Sequence, residues 1–339
     1  MPNEPMIEPA KKKILKNVKI SGTGSYTPMR VYTNEYLETI VDTKAHWIFD
    51  HLGIKQRRIA AKGETTSDLG AIAALEAIAD AKLKPQDIDL IICATTTPDM
   101  RAPSAACFIQ EKIGAFNAGA FDVSAVCTGF LYAISLASDC LASGNYKHIL
   151  VVGADTFSTI TDWTRRDSVF FGDGAGAIIL SRDDKKTGFV VSKVGADGRG
   201  KMIWHIPAGG SKNPINENTA KDRQQFWQMD GKGIYDFATK VLPKVIREVF
   251  IDSGLKVEDI KYVIPHQPSI GILKKTAEIL NFDFNKVLTN MDKYGNTSAA
   301  TIPILLDETN KAGKLTRGDY LLFAAVGSGM AWGAMILKW

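Results

Sequence analysis

The strongest constraint in this sequence is that its second half echoes its first. DLIICATTT (89–97) is a continuous apolar run ending in small polar residues, as a strand buried on both faces does. HILVVGAD (148–155) and AIILS (177–181) read the same way. Between them, CTGFLYAISLASDCLASG (127–144) sets Phe130, Ala133, Ile134, Ala137 and Leu141 at helical spacing until Gly144 stops it. Asp139 is the exception in an otherwise uncharged helix, which is therefore expected to be buried on most sides. About 170 residues later the order recurs. KYVIPHQ (261–267), NTSAATIPILLDETNKAGKL (296–315), DYLLFAAVGSG (319–329) and GAMILKW (333–339) follow one another as strand, helix, strand, strand. Two such units predict an α/β fold built by internal duplication, with two parallel-rich sheets sharing buried helices.

The halves are assigned to residues 17–182 and 183–339, preceded by a loose, polar and Pro-rich arm over 1–16. Residues 200–235 mix Gly, Asn, Trp and Gln without a period and read as irregular. Charge narrows the function. The net +4 owes much to Lys11, Lys12, Lys13 and Lys16, so the body is nearly neutral and no nucleic-acid partner is expected. No run approaches 18 uncharged apolar residues, so no membrane span is expected. The four cysteines form no CxxC pair, and the N-terminus lacks a secretory signal's apolar run, which predicts a reducing, cytoplasmic setting. The five histidines are scattered without ligand spacing, so no metal is expected.

In open α/β sheets, ligands gather beyond the carboxyl ends of strands. Cys127, His266, Asn296 and the Gly327-Ser328-Gly329 loop all stand at such places. Cys127 follows an apolar strand and is read as opening a helix, where unpaired N–H groups and the helix dipole favour a thiolate. Its small neighbours Thr128 and Gly129 leave the sulfur approachable. Cys93, Cys107 and Cys140 lack that combination and read as inert packing residues. Two readings stand for Asn296, a helix cap or a functional amide. GDGAGA (172–177) and GSGMAWG (327–333) lack the GxxxxGK[ST] form and read as tight turns with close backbone approach.

Taken together, GTGSYTP (22–28), VDTKAHWI (41–48), GIKQRRIA (53–60), PSAAC (103–107), DVSAVCTGF (122–130), FGDGAGA (171–177), PHQ (265–267), YGNTSAATIP (294–303) and GSGMAWG resemble the thiolase-fold condensing enzymes. Within them, the resemblance is to the β-ketoacyl-acyl-carrier-protein synthase III group. It implies a five-layered αβαβα fold, a homodimer, and a catalytic set of Cys127, His266 and Asn296. It also implies an oxyanion hole at the backbone N–H groups of Cys127 and Gly329. Acyl-CoA would acylate Cys127, and a malonyl thioester on acyl carrier protein or CoA would then condense with loss of carbon dioxide. CoA thioesters enter as substrates only. The resemblance places Trp47 and Arg166 on the two faces of the CoA adenine and Gly231 and Ser269 near its pantetheine arm.

Several positions depart from the family pattern. His51 replaces an arginine four residues after Trp47, and Asp167 replaces a glycine after Arg166. Ser269 and Gly271 stand for an asparagine and an arginine, with Lys274 and Lys275 just beyond as substitutes or as a solvated helix face. Ala102 replaces the bulky aromatic that closes the acyl pocket across the dimer, which implies an acyl group longer than acetyl. The alternatives are an acyltransferase that passes the acyl group to a non-malonyl acceptor, a specialised condensing enzyme, and a non-catalytic scaffold.

Overall fold

Along the strand Leu90–Ala94, alternate side chains go to opposite sides: Leu90, Ile92 and Ala94 to one core, Ile91 and Cys93 to another. With both faces apolar, period-2 alternation collapses into the continuous run seen in the sequence. The computed structural model describes residues 18–182 and 187–339. The arm expected at 1–16 and the junction expected at 183 lie outside the described residues.

In chain order, β1 (Val18–Tyr26) is followed by a side hairpin, β2 (Arg30–Thr33) and β3 (Gln56–Ile59). Between those two lie helices α1 (Asn34–Glu38) and α2 (Ala45–Leu52). Then come α3 (Thr66–Asp80), β4 (Leu90–Ala94), α4 (Ala105–Ile113), β5 (Gly119–Val123), α5 (Gly129–Ser143), β6 (His148–Asp155) and β7 (Gly174–Arg182). The second half supplies β8 (Gly188–Ala196), a two-residue ladder of β9 (Trp204–His205) with β10 (Gln228–Met229), and between them α6 (Glu217–Lys221). It continues with α7 (Gly231–Ser253), β11 (Ile260–Pro265), α8 (Ile270–Leu280), α9 (Met291–Tyr294), α10 (Thr301–Lys311), β12 (Tyr320–Gly327) and β13 (Ala331–Lys338).

The first large sheet has the order β1-β7-β6-β4-β5, and the second, read from its corresponding edge, runs β8-β13-β12-β11. Position by position the two match, parallel pairs facing parallel and antiparallel facing antiparallel. The counterpart of β5 is reduced to one parallel bridge between Val263 and Val287. The duplication is therefore a property of the fold, with one edge strand worn to a single residue pair.

Helices α5 and α10 lie between the sheets. Phe130, Leu131, Ile134 and Leu141 of α5 share a core with Ile302, Leu305 and Leu306 of α10 and with residues of both sheets. Helices α3 and α4 cover the outer face of the first sheet, and α7 and α8 that of the second. The layers run αβαβα, as the resemblance implies. The stretch Val126–Ser143 meets the length and mean hydropathy (1.4) of a membrane-crossing helix, Asp139 included. Here its apolar side chains fill the inter-sheet space.

Two local readings are amended. Cys127 does not open α5; it sits in a tight 3-10 turn, Val126–Thr128, and the helix proper begins at Gly129. The region 200–235 is largely irregular, yet its tryptophans are not surface residues. Trp204 and Trp227 are buried against Phe157 and Phe171.

Candidate active site

The polypeptide reaches the site through two turns, one from each half. The first is Val126–Thr128, where Val126 takes φ +47°, a left-handed conformation costly for a β-branched residue. The second is Ser298–Ala300, where Ser298 takes φ +51°. Cys127 rides on the first turn and Asn296 leads into the second. His266 follows the last residue of β11, its amide donating to the Ala324 carbonyl at 2.8 Å. All three side chains line a cavity of about 270 Å³ whose remaining wall is mostly apolar, including Phe171, Trp204, Ile234 and Val326.

Asn296 caps the second turn and also lines the cavity. Its Oδ1 accepts from the Ser298 backbone N–H at 2.9 Å, as a turn cap does. With the oxygen committed, the amide nitrogen is the end left for the cavity. Its backbone is tied to the first half, N–H to the Phe170 carbonyl at 2.9 Å and carbonyl to the Gly172 N–H at 3.0 Å.

His266 is 2% exposed, and burial pushes its imidazole down to about 3, against a smaller raising contribution from the Ser298 backbone. The ring is thus neutral at pH 7 and carries one N–H donor. Neighbouring Gln267 is wholly buried. Its Oε1 accepts from the backbone N–H groups of Asn290 and Met291 at 2.9 and 3.0 Å, and its Nε2 donates to Asn290 Oδ1 at 2.9 Å. The side chain after the histidine is therefore a fastener for the histidine's loop, a role the sequence reading did not assign.

Cys127 departs from its expected electrostatics. The turn and its amides do act on the sulfur, but the apolar surroundings act more strongly, and desolvation pushes the thiol up to about 12. The nearby Ser298 hydroxyl, which also favours the Asp155 carboxylate, opposes that rise, while the Asp155 charge adds to it. The resting group is a thiol, not a thiolate. Asp155 is itself fully buried, accepting from the Thr96 and Ala299 amides at 2.7 and 3.1 Å and from the Thr95 hydroxyl at 3.1 Å. It stitches the first half to the second half's turn directly behind the cysteine.

The other expected residues divide. Ser269 and Gly231 line the same cavity, Ser269 also capping α8 and Gly231 standing at the start of α7. Gly327, Ser328 and Met330 line it too, and a Cβ on Gly327 would sit 3.2 Å from the Cys127 nitrogen. Gly329, with φ +132°, is not among the lining residues of this cavity. Ala102 is exposed and absent from the wall formed by its own chain. Trp47 and Arg166 line a shallower, open pocket, and Phe170 belongs to both spaces. Arg166 stacks directly on Trp47, its guanidinium carbon 4.3 Å from the ring centroid, and His51 stacks on Trp47 at 4.8 Å. Asp167 is held by Arg165 through two hydrogen bonds of 3.1 and 2.5 Å. Lys275 pairs with Glu278, and Lys274 is exposed.

A duplicated αβαβα fold that delivers one thiol and two neutral hydrogen-bonding side chains to a single apolar cavity defines the thiolase-fold condensing enzymes. Comparison with known proteins narrows the class. Residues 121–198 match the family described as 3-oxoacyl-[acyl-carrier-protein (ACP)] synthase III, and residues 251–339 match the C-terminal region of the same family. The chain is 47% identical to β-ketoacyl-[acyl-carrier-protein] synthase III of Clostridium acetobutylicum over 96% of its length and 99% of the relative's. The crystal structure of 3-oxoacyl-[acyl-carrier-protein] synthase III from Aquifex aeolicus superposes with a TM-score of 0.88 at 42% identity, covering 95% of this chain and 100% of that one. A priming β-ketosynthase of the R1128 polyketide pathway superposes at 0.87 with 31% identity, covering 98% of each chain. This chain belongs to the β-ketoacyl-[acyl-carrier-protein] synthase III family, and it is a condensing acyltransferase.

Proposed function

We propose that Cys127, His266 and Asn296 divide the condensing reaction between them. The convergence of these three side chains on one cavity from two duplicated turns carries the reading. The Cys127 sulfur attacks the carbonyl of an acyl thioester, the carbon–sulfur bond to CoA breaks, and CoA leaves as a thiol. Because the resting cysteine is a thiol, its proton has to depart as the bond forms. The neutral imidazole of His266 in the same cavity is the available acceptor, and ion pairing with the sulfur raises its basicity from the buried resting value. That proton then serves the leaving thiolate.

In the second half-reaction a malonyl thioester occupies the cavity and loses carbon dioxide. The enolate oxygen so formed takes hydrogen bonds from the Asn296 amide and from the imidazole. The cavity-facing nitrogen of that ring then carries its proton, the tautomer opposite to the one that accepted the Cys127 proton. Two neutral donors stabilise this charge without clamping it, so the enolate carbon attacks the Cys127 thioester. The new carbon–carbon bond forms, the carbon–sulfur bond to Cys127 breaks, and the sulfur takes up a proton from solvent to return to the resting thiol. The backbone N–H groups of Cys127 and Gly329 receive the tetrahedral oxyanion, the second by family likeness. No metal or redox cofactor enters.

Trp47 and Arg166 hold the adenine end of acyl-CoA, with Ser269 and Gly231 beside the pantetheine arm. Malonyl-acyl carrier protein is the extender donor. The acyl group is longer than acetyl, because Ala102 leaves open the space that a large aromatic fills elsewhere in the family. The chain acts as a homodimer: β5 pairs only with β4 among the described residues, Phe121 within it is exposed, and so is Phe116 in the segment that leads into it. The site works in the cytoplasm.

Intact-protein mass spectrometry with a series of acyl-CoA lengths tests the assignment. Wild type should gain one acyl mass and Cys127→Ala none. His266→Ala and Asn296→Ala should still acylate while losing malonyl decarboxylation; unchanged decarboxylation would remove their roles.

A further inference from the structure

Arg57 is the largest charged side chain in the interior, 0% exposed. No carboxylate pairs with it among the described residues. Its Nη1 donates to the Tyr32 carbonyl at 3.1 Å and to Asn34 Oδ1 at 2.9 Å, and its Nη2 donates to the Val169 carbonyl at 2.9 Å. Nε has no partner. A guanidinium buried without a counter-ion costs more than an apolar side chain of similar volume, so packing alone does not account for it.

The partners explain what it does. Asn34 passes the connection on, its Nδ2 donating to the Ile54 carbonyl at 2.7 Å and to the carbonyl of Ala45 at 3.3 Å. Ala45 is the first residue of α2, the helix that carries Trp47. Val169 closes the short turn Arg166–Val169, which carries Arg166. One rigid fork therefore grips the bases of both jaws of the Trp47–Arg166 pair, Nη1 on one side and Nη2 on the other. The stem adds a third constraint: a Cβ on Gly172 would lie 3.0 Å from Arg57 Cβ, and one on Gly295 would lie 3.3 Å from it.

We infer that Arg57 is a positioning residue for CoA recognition, holding the backbone beneath Trp47 and Arg166 in place. An adenine ring can then displace the Arg166 guanidinium from its direct stack on Trp47 and enter between the two side chains. The inference rests on the reading of those two residues as the adenine clamp. A lysine at this position keeps the charge and most of the stem but gathers its donors on one nitrogen. It cannot reproduce the fork's two separate reaches, Nη1 to one element and Nη2 to the other.

The test compares acyl-CoA with the matching acyl-pantetheine, which bears the same thioester arm and no adenine. For Arg57→Lys, KM for acyl-CoA should rise about tenfold, the loss of one hydrogen bond from a charged donor, while kcat stays within about twofold. Both constants for acyl-pantetheine should be unchanged, a selectivity that a general structural role would not give. In a Trp47→Ala background, Arg57→Lys should have no further effect on KM. Equal losses with both donors, or an unchanged KM for acyl-CoA, would overturn the inference. A wild-type enzyme that does not distinguish the two donors would instead overturn the clamp reading itself. If Arg57→Lys does not fold, Asn34→Ala removes one link of the chain while keeping the arginine, and the same selective rise in KM decides the question.

Discussion

Val126 and Ser298 share one conformation, φ +47° and +51°, at corresponding turns ahead of the two inter-sheet helices. Neither is glycine, so each turn holds a strain of about 1–3 kcal/mol against the surrounding packing. The consequence is convergence: the first turn presents the Cys127 sulfur, and the second brings the Ser298 hydroxyl to it. Desolvation nevertheless dominates and leaves the thiol near 12. Alkylation of Cys127 by iodoacetamide should accordingly climb about tenfold per pH unit from pH 7 to 10 without a plateau. Ser298→Ala should slow it about fivefold at any one pH, since a neighbouring hydroxyl that favours the anion is gone. A plateau near pH 8 in wild type would contradict this account of the resting sulfur.

Gln267 supplies a prediction about stability and placement together. Truncation to alanine leaves the buried N–H groups of Asn290 and Met291 without their acceptor. Each such group costs about 1–3 kcal/mol, so Gln267→Ala should lose roughly 2–6 kcal/mol in urea unfolding. Malonyl decarboxylation should fall more steeply than Cys127 acylation, because the loosened loop carries His266 and not the nucleophile. Equal losses in the two half-reactions would show that Gln267 does not act through the histidine.

How much of this was legible beforehand depended on the range of the interaction. The doubly apolar strands and the α5 stripe were readable because their signal is local periodicity, and the duplication multiplied it. Cys127 and His266 stood out because each follows a strand end in a distinctive motif; Asn296 stood out by its motif alone, since in the structure it follows helix α9 rather than a strand. What escaped was set by tertiary contact. Nothing in QRRI distinguishes Arg57, with its side chain in the core, from an ordinary surface charge. A valine in the left-handed region carries no sequence mark either. The rise in the Cys127 pKa comes from Phe171, Trp204 and other walls more than 40 positions away, so a rule about helix termini gave the opposite sign.

The buried imidazole also gives a pH signature. His266 stays neutral in the folded protein down to about pH 3, whereas in the unfolded chain it protonates near 6.5. Below pH 6.5 the unfolded state therefore binds the extra proton, and the wild type loses stability as pH falls. His266→Ala lacks that proton uptake. The unfolding free energy of wild type relative to His266→Ala should decline by about 1.4 kcal/mol per pH unit between 6 and 4, whatever the offset at neutral pH. A pH-independent difference would mean that the ring titrates alike in both states.

Gly153 lies where the two halves meet backbone to backbone, next to the site. It lies in β6, two residues before Asp155, and a Cβ there would stand 2.3 Å from the Ala299 carbonyl oxygen in the opposite turn. The obstructing atom is backbone, in a segment already fixed by the Ala299 amide on Asp155 and the Ser298 amide on Asn296. Neither neighbour can yield without moving the other. Gly153→Ala should therefore cost about 3 kcal/mol or more and push Asn296 away from Cys127, so the residual folded enzyme should decarboxylate malonyl thioester poorly. Gly198→Ala is the matched control, because nothing lies within 4 Å of its Cβ position, and its effect should stay within about 0.5 kcal/mol. Should Gly153→Ala unfold at the same urea concentration as the control, the two turns are not packed backbone against backbone, and the site's geometry would need another source of rigidity.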